Sequence, residues 1–372
     1  SQADSEPGVV AAGAPLDAPA IGARPIGATV NSPAGAAPTE GDAPEAGELL
    51  TLVGALAPAL SDIETQHRAV RARAMRVLAG LVAAVGGAAL LASAIPIDGV
   101  AALVVGLGVV AALMGWHMAM STHITAYRDG FKRSVVDHLV AHRYPDATFE
   151  PYQGIGIDEF RACRLFRQAI DRYAAEDLIV GRLGATDLRI SEVHAQYKTT
   201  TTDAKGRTRT RWHTIFRGVF CVADFHKHFH GTTLVVPDGA EGFLGDFGRR
   251  LQSLGRAFSD AKLVELEDPE FEHAFAVYGT DQVEARYILS TSLMRRLLDF
   301  RRRMGASVHL AFVDERVFVA VASTKNHFEP PSIWAASAAI DEADLAEYLA
   351  QVDLARHVVE SLNLNTRIWT KA

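Results

Sequence analysis

Cysteine is nearly absent from this chain: there are two in 372 residues, Cys163 and Cys221. Two thiols make no disulfide framework for a domain of this length, so the globular part fits a reducing compartment. An excess of bases is missing as well. The formal net charge is −7, from 37 bases against 44 acids, which leaves no electrostatic footprint for nucleic acid. No short-cored, positively charged signal peptide opens the sequence. Common catalytic signatures are also missing: Gly-x-x-x-x-Gly-Lys-Ser/Thr, Gly-x-Gly-x-x-Gly after a strand, His-Glu-x-x-His and Gly-x-Ser-x-Gly. These absences exclude the commonest phosphate-loop, dinucleotide, zinc-protease and serine-hydrolase sites. An enzyme built on another motif stays open.

Charge itself is missing over two stretches. Val77 to Ile97 has no ionisable side chain, and Gly99 to Thr122 has only His117. About 18–20 apolar helical residues cross a hydrocarbon core of about 30 Å. Two such runs, separated by Pro96 and Asp98, predict a transmembrane helical hairpin over 77–122. A buried hairpin of a soluble bundle is the alternative, but it normally shows a polar stripe, and neither run has one. Arg68, Arg71, Arg73 and Arg76 precede the hairpin; Arg128, Lys132 and Arg133 follow it; the connection has no base. That asymmetry predicts an inner-membrane protein with both termini in the cytoplasm and the first span acting as an uncleaved anchor. Small residues at four-residue spacing (Ala79, Ala83, Gly87; Gly108, Ala112) suit close packing of one span on the other, or homo-oligomer formation.

The remaining organisation follows in order. Residues 1–48 hold seven acids and one base among Ala, Pro and Gly, and read as a disordered acidic tail. Residues 49–76 read as a juxtamembrane helical segment: an amphipathic stretch as far as Leu60, then a helix started by the capping box Ser61-Asp-Ile-Glu64. Residues 123–143 continue the second span as a stalk ended by Pro145. Residues 144–372 read as a cytoplasmic α+β domain of antiparallel hairpins flanked by helices. Its expected helices are 157–175, 245–258, a short one after Asp268, 290–304 and 342–362; 283–286 is ambiguous. Its expected strands are 188–199, with a bulge near Ser191, 209–225, 232–236, 262–266, 308–313 and 316–322.

Five blocks carry a resemblance: Glu176–His194, Phe216–Asp224, Leu266–Phe275, Asp281–Leu289 and Leu362–Trp369. Together they resemble a bacterial membrane-protein family catalogued as domain of unknown function 3137, over roughly Tyr127 to the C-terminus. The resemblance implies a membrane-anchored protein with paired N-terminal spans and supplies no catalytic residues. It also implies a neighbouring LemA-like membrane protein as a partner.

Three groups merit weighing as sites. Cys221, His226, His228 and His230 offer thiolate and imidazole ligands suited to zinc, although Cys221 has the opposite strand parity to the three histidines. A loop or sheet edge, with no cofactor, is the competing reading. Asp281, Glu284 and Arg286 stand in the most distinctive block, as an acid/base or ligand site or as an internal ion-pair network. Arg295, Arg296, Arg301, Arg302 and Arg303 line a helix beside an apolar stripe, where they would meet anionic headgroups or simply water. The whole predicts a non-catalytic interaction module that presents its domain to a protein partner or the membrane surface. The alternative is a membrane-tethered, metal-dependent enzyme.

Overall fold

The computed structural model describes residues 46–93, 100–202, 205–225, 228–238 and 261–362. Helix α1 (Ala46–Ser93) and helix α2 (Val100–Phe131) form the hairpin. Gly108 and Gly115 of α2 face Ala88 and Leu81 of α1: a Cβ added there would stand at ordinary contact, 3.8 Å from Ala88 and 3.5 Å from Leu81. α1 runs unbroken through Pro58 and Ser61, so the capping box there does not start a helix. Pro58 is exposed, whereas Leu52, Leu56, Ile63, Val70 and Ala74 are buried in the core. That burial outweighs the roughly 3 kcal/mol an interior proline costs. The stretch 49–60 accordingly packs on the domain.

After Phe131 the second helix widens into one π turn, Lys132–Val136, and resumes as α3 (Asp137–Arg143). The domain is α+β, as its strand and helix patterns predicted. Among the described residues nine strands form one wholly antiparallel sheet, ordered β1-β2-β3-β4-β9-β8-β5-β7-β6. They are β1 (Thr148–Glu150), β2 (Arg172–Leu183), β3 (Thr186–Thr202), β4 (Thr208–Asp224), β5 (Thr232–Pro237), β6 (Lys262–Leu263), β7 (Phe275–Gly279), β8 (Val308–Val313) and β9 (Arg316–Ala322).

Period-two alternation divides the apolar residues between two cores. On one face Val219, Cys221, Val317, Val319, Leu310 and Phe312 meet the base of the hairpin and helices α7 (Thr291–Met304), α8 (Glu342–Val352) and α9 (Leu354–Leu362). On the other, Phe220, Val222, Phe318, Ala320 and Ala311 meet Ile155, Phe160, Cys163 and Phe166 from the segment before β2. β4 is therefore central, as its two-sided apolar run implies. Gly218, at φ +146°, lets β4 approach β9 so closely that a Cβ there would stand 2.1 Å from the Val321 carbonyl oxygen.

Several expectations change. The helix read over 157–175 ends at Ala162 (α4, Ile157–Ala162), Arg164 turns left-handed (φ 60°), and Tyr173 lies in β2. Phe160 and Phe166 stack at 5.1 Å across this irregular turn, so their helix-like spacing reflects a shared core. The phase slip near Ser191 is no bulge in β3: Leu188 and Ile190 face one core, Val193 and Ala195 the other. The extra residue sits opposite, in β2 between Glu176 and Ile179. The ambiguous 283–286 belongs to a helix α6 (Gln282–Ile288), and 342–362 breaks at Asp353 into α8 and α9. The helix over 269–274 (α5), the 308–322 hairpin and the 290–304 helix stand as read. The helix expected over 245–258 and most of the acidic tail lie outside the described residues.

Candidate functional site

The most concentrated chemistry in the described residues lies where the hairpin enters the domain. Lys132 opens the π turn, and its side chain is only 2 % exposed. Its Nζ donates to both carboxylate oxygens of Asp177, each at 2.8 Å, and Asp177 is equally buried. Glu329 stands 3.4 Å from the same Nζ, Glu176 stands 3.5 Å away, and Arg128 holds the other Glu329 oxygen at 3.1 Å. Glu192, paired across from Glu176 on β3, accepts the backbone N–H of His327.

Two local distortions aim these groups at one another. The π turn shifts the helix register at Lys132. The extra residue in β2 puts Asp177 at φ 59°, a left-handed conformation that Asp tolerates better than most residues. Burial pushes the Glu192 carboxyl up to about 7, opposed by its bond from the His327 amide. Burial likewise raises Asp177 to about 7 against the pull of Lys132. Burial works to lower Lys132, but Asp177, Glu176 and Glu329 more than offset it and keep the ammonium charged. His327 is held neutral, down at about 4, by its own burial.

Oxygens of Glu176, Asp177 and Glu192 lie within 4.8 Å of one another, a spacing that suits a metal ion. Here the Lys132 ammonium is the cation that Asp177 holds through both its oxygens. Lower on the hairpin Arg143 does similar work, reaching Glu48 (2.9 Å) at the start of α1 and Asp353 (2.7 Å) at the α8–α9 break. Tyr127 donates to the Pro331 carbonyl, Arg71 to that of Ala336, and Trp116 stacks on Trp334 at 5.7 Å. The loop 327–340 thus straps the domain to both helices. Chemically, this is a clamp between two pieces of one chain, with its central ion pair sealed from water.

The residues singled out from sequence lie elsewhere. Cys221 is buried in the core and its thiol is pushed up to about 12 by that burial. His228 and His230 pack edge to face at 5.6 Å in the loop after β4, with His228 3.5 Å from Glu315. His226 is outside the described residues. Asp281 caps α6 through the amides of Val283 and Glu284. Glu284 accepts from the amides of His230 and Gly231, at 3.0 and 2.8 Å, and so pins that loop. Arg286 donates to the Glu265 and Gln282 carbonyls. Of the five arginines on α7, Arg296 holds the Ser361 carbonyl, Arg301 that of Ala274, and Arg302 the carboxylates of Asp299 and Glu270. Arg295 is exposed, and Arg303 is partly so and has a partner within the fold.

Glu329 has no place in the sequence reading, Lys132 enters it only as a base flanking the hairpin, and Glu176, Asp177 and Glu192 only as members of a block.

Residues 214–364 match the family model described as "Protein of unknown function (DUF3137)", the family that the sequence blocks resemble. No curated protein matches the chain. Among solved structures, the mycobacterial trehalose monomycolate transport factor A aligns over 64 % of this chain and 98 % of its own, at 11 % identity and a TM-score of 0.33. A likeness that loose leaves function to be read from the residues.

Proposed function

With residues 214–364 matched to the DUF3137 family, we propose that the chain is a non-catalytic, membrane-tethered module that holds its α+β domain against the cytoplasmic face of an inner membrane. One observation carries this reading. The hairpin changes character along its length: Val70, Ala74, Met120, Tyr127 and Phe131 are buried in the domain, while Leu78, Val82, Leu90, Leu91, Leu103, Leu107, Leu113 and Met118 are exposed. Only 6 % of the most apolar stretch of each helix is buried, so these stretches are not core helices of a soluble fold. Lipid is the solvent that suits them. The bases on both flanks and none in the connection support the cytoplasmic placement of both ends.

The clamp around Lys132 fits a presenting role. It ties the domain rigidly to its anchor, so a partner protein or the lipid surface meets the domain at a fixed height and orientation. Fractionation of the full-length chain tests this. We expect it in the membrane pellet after carbonate washing, with a C-terminal tag digested by protease only in inside-out vesicles. Recovery in the supernatant, or a tag cut from outside intact cells, overturns the reading.

A further inference from the structure

We propose that the β3–β4 ribbon is a basic arm that rests on anionic headgroups of the bilayer holding the hairpin; this rests on the membrane reading above. The ribbon runs past the end of β9: β4 pairs with β9 only from Gly218 onward, whereas β3 and β4 stay paired out to Thr202 and Thr208. Every described side chain from Lys198 to Trp212 is exposed, so neither face of this stretch serves a core. Its sequence holds five bases (Lys198, Lys205, Arg207, Arg209, Arg211) against one acid, Asp203. Lys198 pairs with Asp171 at 3.7 Å, and Lys205 and Arg207 have partners of their own, so Arg209 and Arg211 are the bases without an ion pair among the described residues. An isolated two-stranded ribbon is marginal on its own. At its root Asp171 accepts from the Lys198 amide at 2.8 Å, and the Arg172 guanidinium lies 4.3 Å over Trp212.

The direction of the ribbon follows from contacts with the hairpin. Gly181 on β2 lies against Ala147, just past the end of α3, and Asp177 lies against Lys132, higher on the same helical rod. Travelling along β2 from Gly181 to Asp177 therefore parallels travelling up the rod toward the apolar spans. β3 continues that travel from Glu192, beside Asp177's neighbour Glu176, to Thr202. Ten strand residues cover about 33 Å. Ten helical residues from Lys132 to Thr122, where the uncharged span begins, cover only about 15 Å. The ribbon is long enough to reach that plane even when strongly tilted. Trp334, half exposed and stacked on Trp116, stands at the same end, where an indole suits the headgroup zone. Nucleic acid or an acidic protein would also accept five bases, but neither accounts for an arm aimed along the spans.

The test uses the full-length chain in nanodiscs with a fluorophore on Thr201→Cys and, separately, on Asp187→Cys at the opposite end of β3. The native thiols are buried and do not compete for label. Lipids carrying a nitroxide on the headgroup should quench the Thr201 position in discs containing phosphatidylglycerol and leave Asp187 bright. Quenching should weaken with salt and in purely zwitterionic discs. The triple variant R207S/R209S/R211S should lower the docking equilibrium constant about fivefold per base removed. A Thr201 probe that stays bright in anionic discs, or that responds only to added RNA or acidic peptide, overturns the arm while leaving the anchor intact. Quenching indifferent to lipid charge overturns it as well. A chain that does not enter discs defeats the membrane reading, and the arm with it.

Discussion

Replacing Lys132 by methionine removes the cation but keeps most of the stem's volume. Asp177 is then left 2 % exposed, its two 2.8 Å bonds gone. Removing one partner of a buried pair costs about 3–5 kcal/mol, because the other charge stays behind. Here a proton limits the loss. Asp177 already sits at about 7 with its ammonium in place, so without it the carboxyl is neutral at pH 7. The cost should lie near the lower figure at neutral pH and grow by about 1.4 kcal/mol per pH unit above that. For a chain of this size about 3 kcal/mol lowers the melting temperature by roughly 6–12 °C.

Thermal unfolding in a mild detergent, followed by tryptophan emission at pH 7 and pH 8.5, reads this directly. Lys325→Met is the control: Lys325 and Glu347 also pair at 2.9 Å but are 65 % and 56 % exposed, so about 0–1 kcal/mol is at stake. The double variant K132M/D177N should recover more than half of the K132M loss, since asparagine is neutral and accepts the left-handed backbone at 177. Should K132M cost no more than K325M, or the double variant melt no higher than K132M, the buried pair is not what holds hairpin to domain.

Stability should also depend on pH through Glu192. Its folded pKa, about 7, is raised, so the stability it contributes is complete below the usual carboxylate range and is lost as pH rises through 7. His309 and His327, lowered to about 4 by burial, act oppositely, losing stability as pH falls from the ordinary histidine range toward 4. Asp177, also raised to about 7, acts with Glu192, so melting should fall as pH rises above about 6.5, and Glu192→Gln should flatten that fall by on the order of 1 kcal/mol between pH 6 and 8.5. Gly218→Ala should cost about 2–4 kcal/mol or prevent folding, because its Cβ would strike the Val321 carbonyl; circular dichroism melts decide it. Cys163 and Cys221, both pushed up to about 12 by burial, should ignore a thiol reagent at pH 8 until denaturant is added, and prompt reaction would contradict the core assignment.

What the sequence displayed was governed by local pattern, and what it hid was governed by contacts between distant segments. The β8–β9 hairpin was legible because two short apolar runs and the Asp314-Glu315 turn lie within fifteen residues, and Ser290–Met304 because its apolar stripe faces one core. The clamp was not legible. Lys132 and Asp177 are 45 residues apart, and both sit at irregularities, a π turn and a bulged strand, that no periodicity announces. The Asp281, Glu284 and Arg286 group was visible as a cluster of charge, yet its donors and acceptors are spent on a helix cap and on loop backbone, which spacing alone does not reveal. Pro58 and Ser61 misled for the converse reason: their local message to stop and restart a helix is strong, and Leu56 and Ile63, buried on either side, override it. Local signals of about 1–3 kcal/mol lose wherever a continuous helix buries several large side chains at about 1.5–3 kcal/mol each. The same comparison explains why the exposed apolar stretch and the clamp occupy one helix. Burial below Thr122 fixes the register of α2 against the sheet, and that register brings the Lys132 ammonium onto the Asp177 carboxylate.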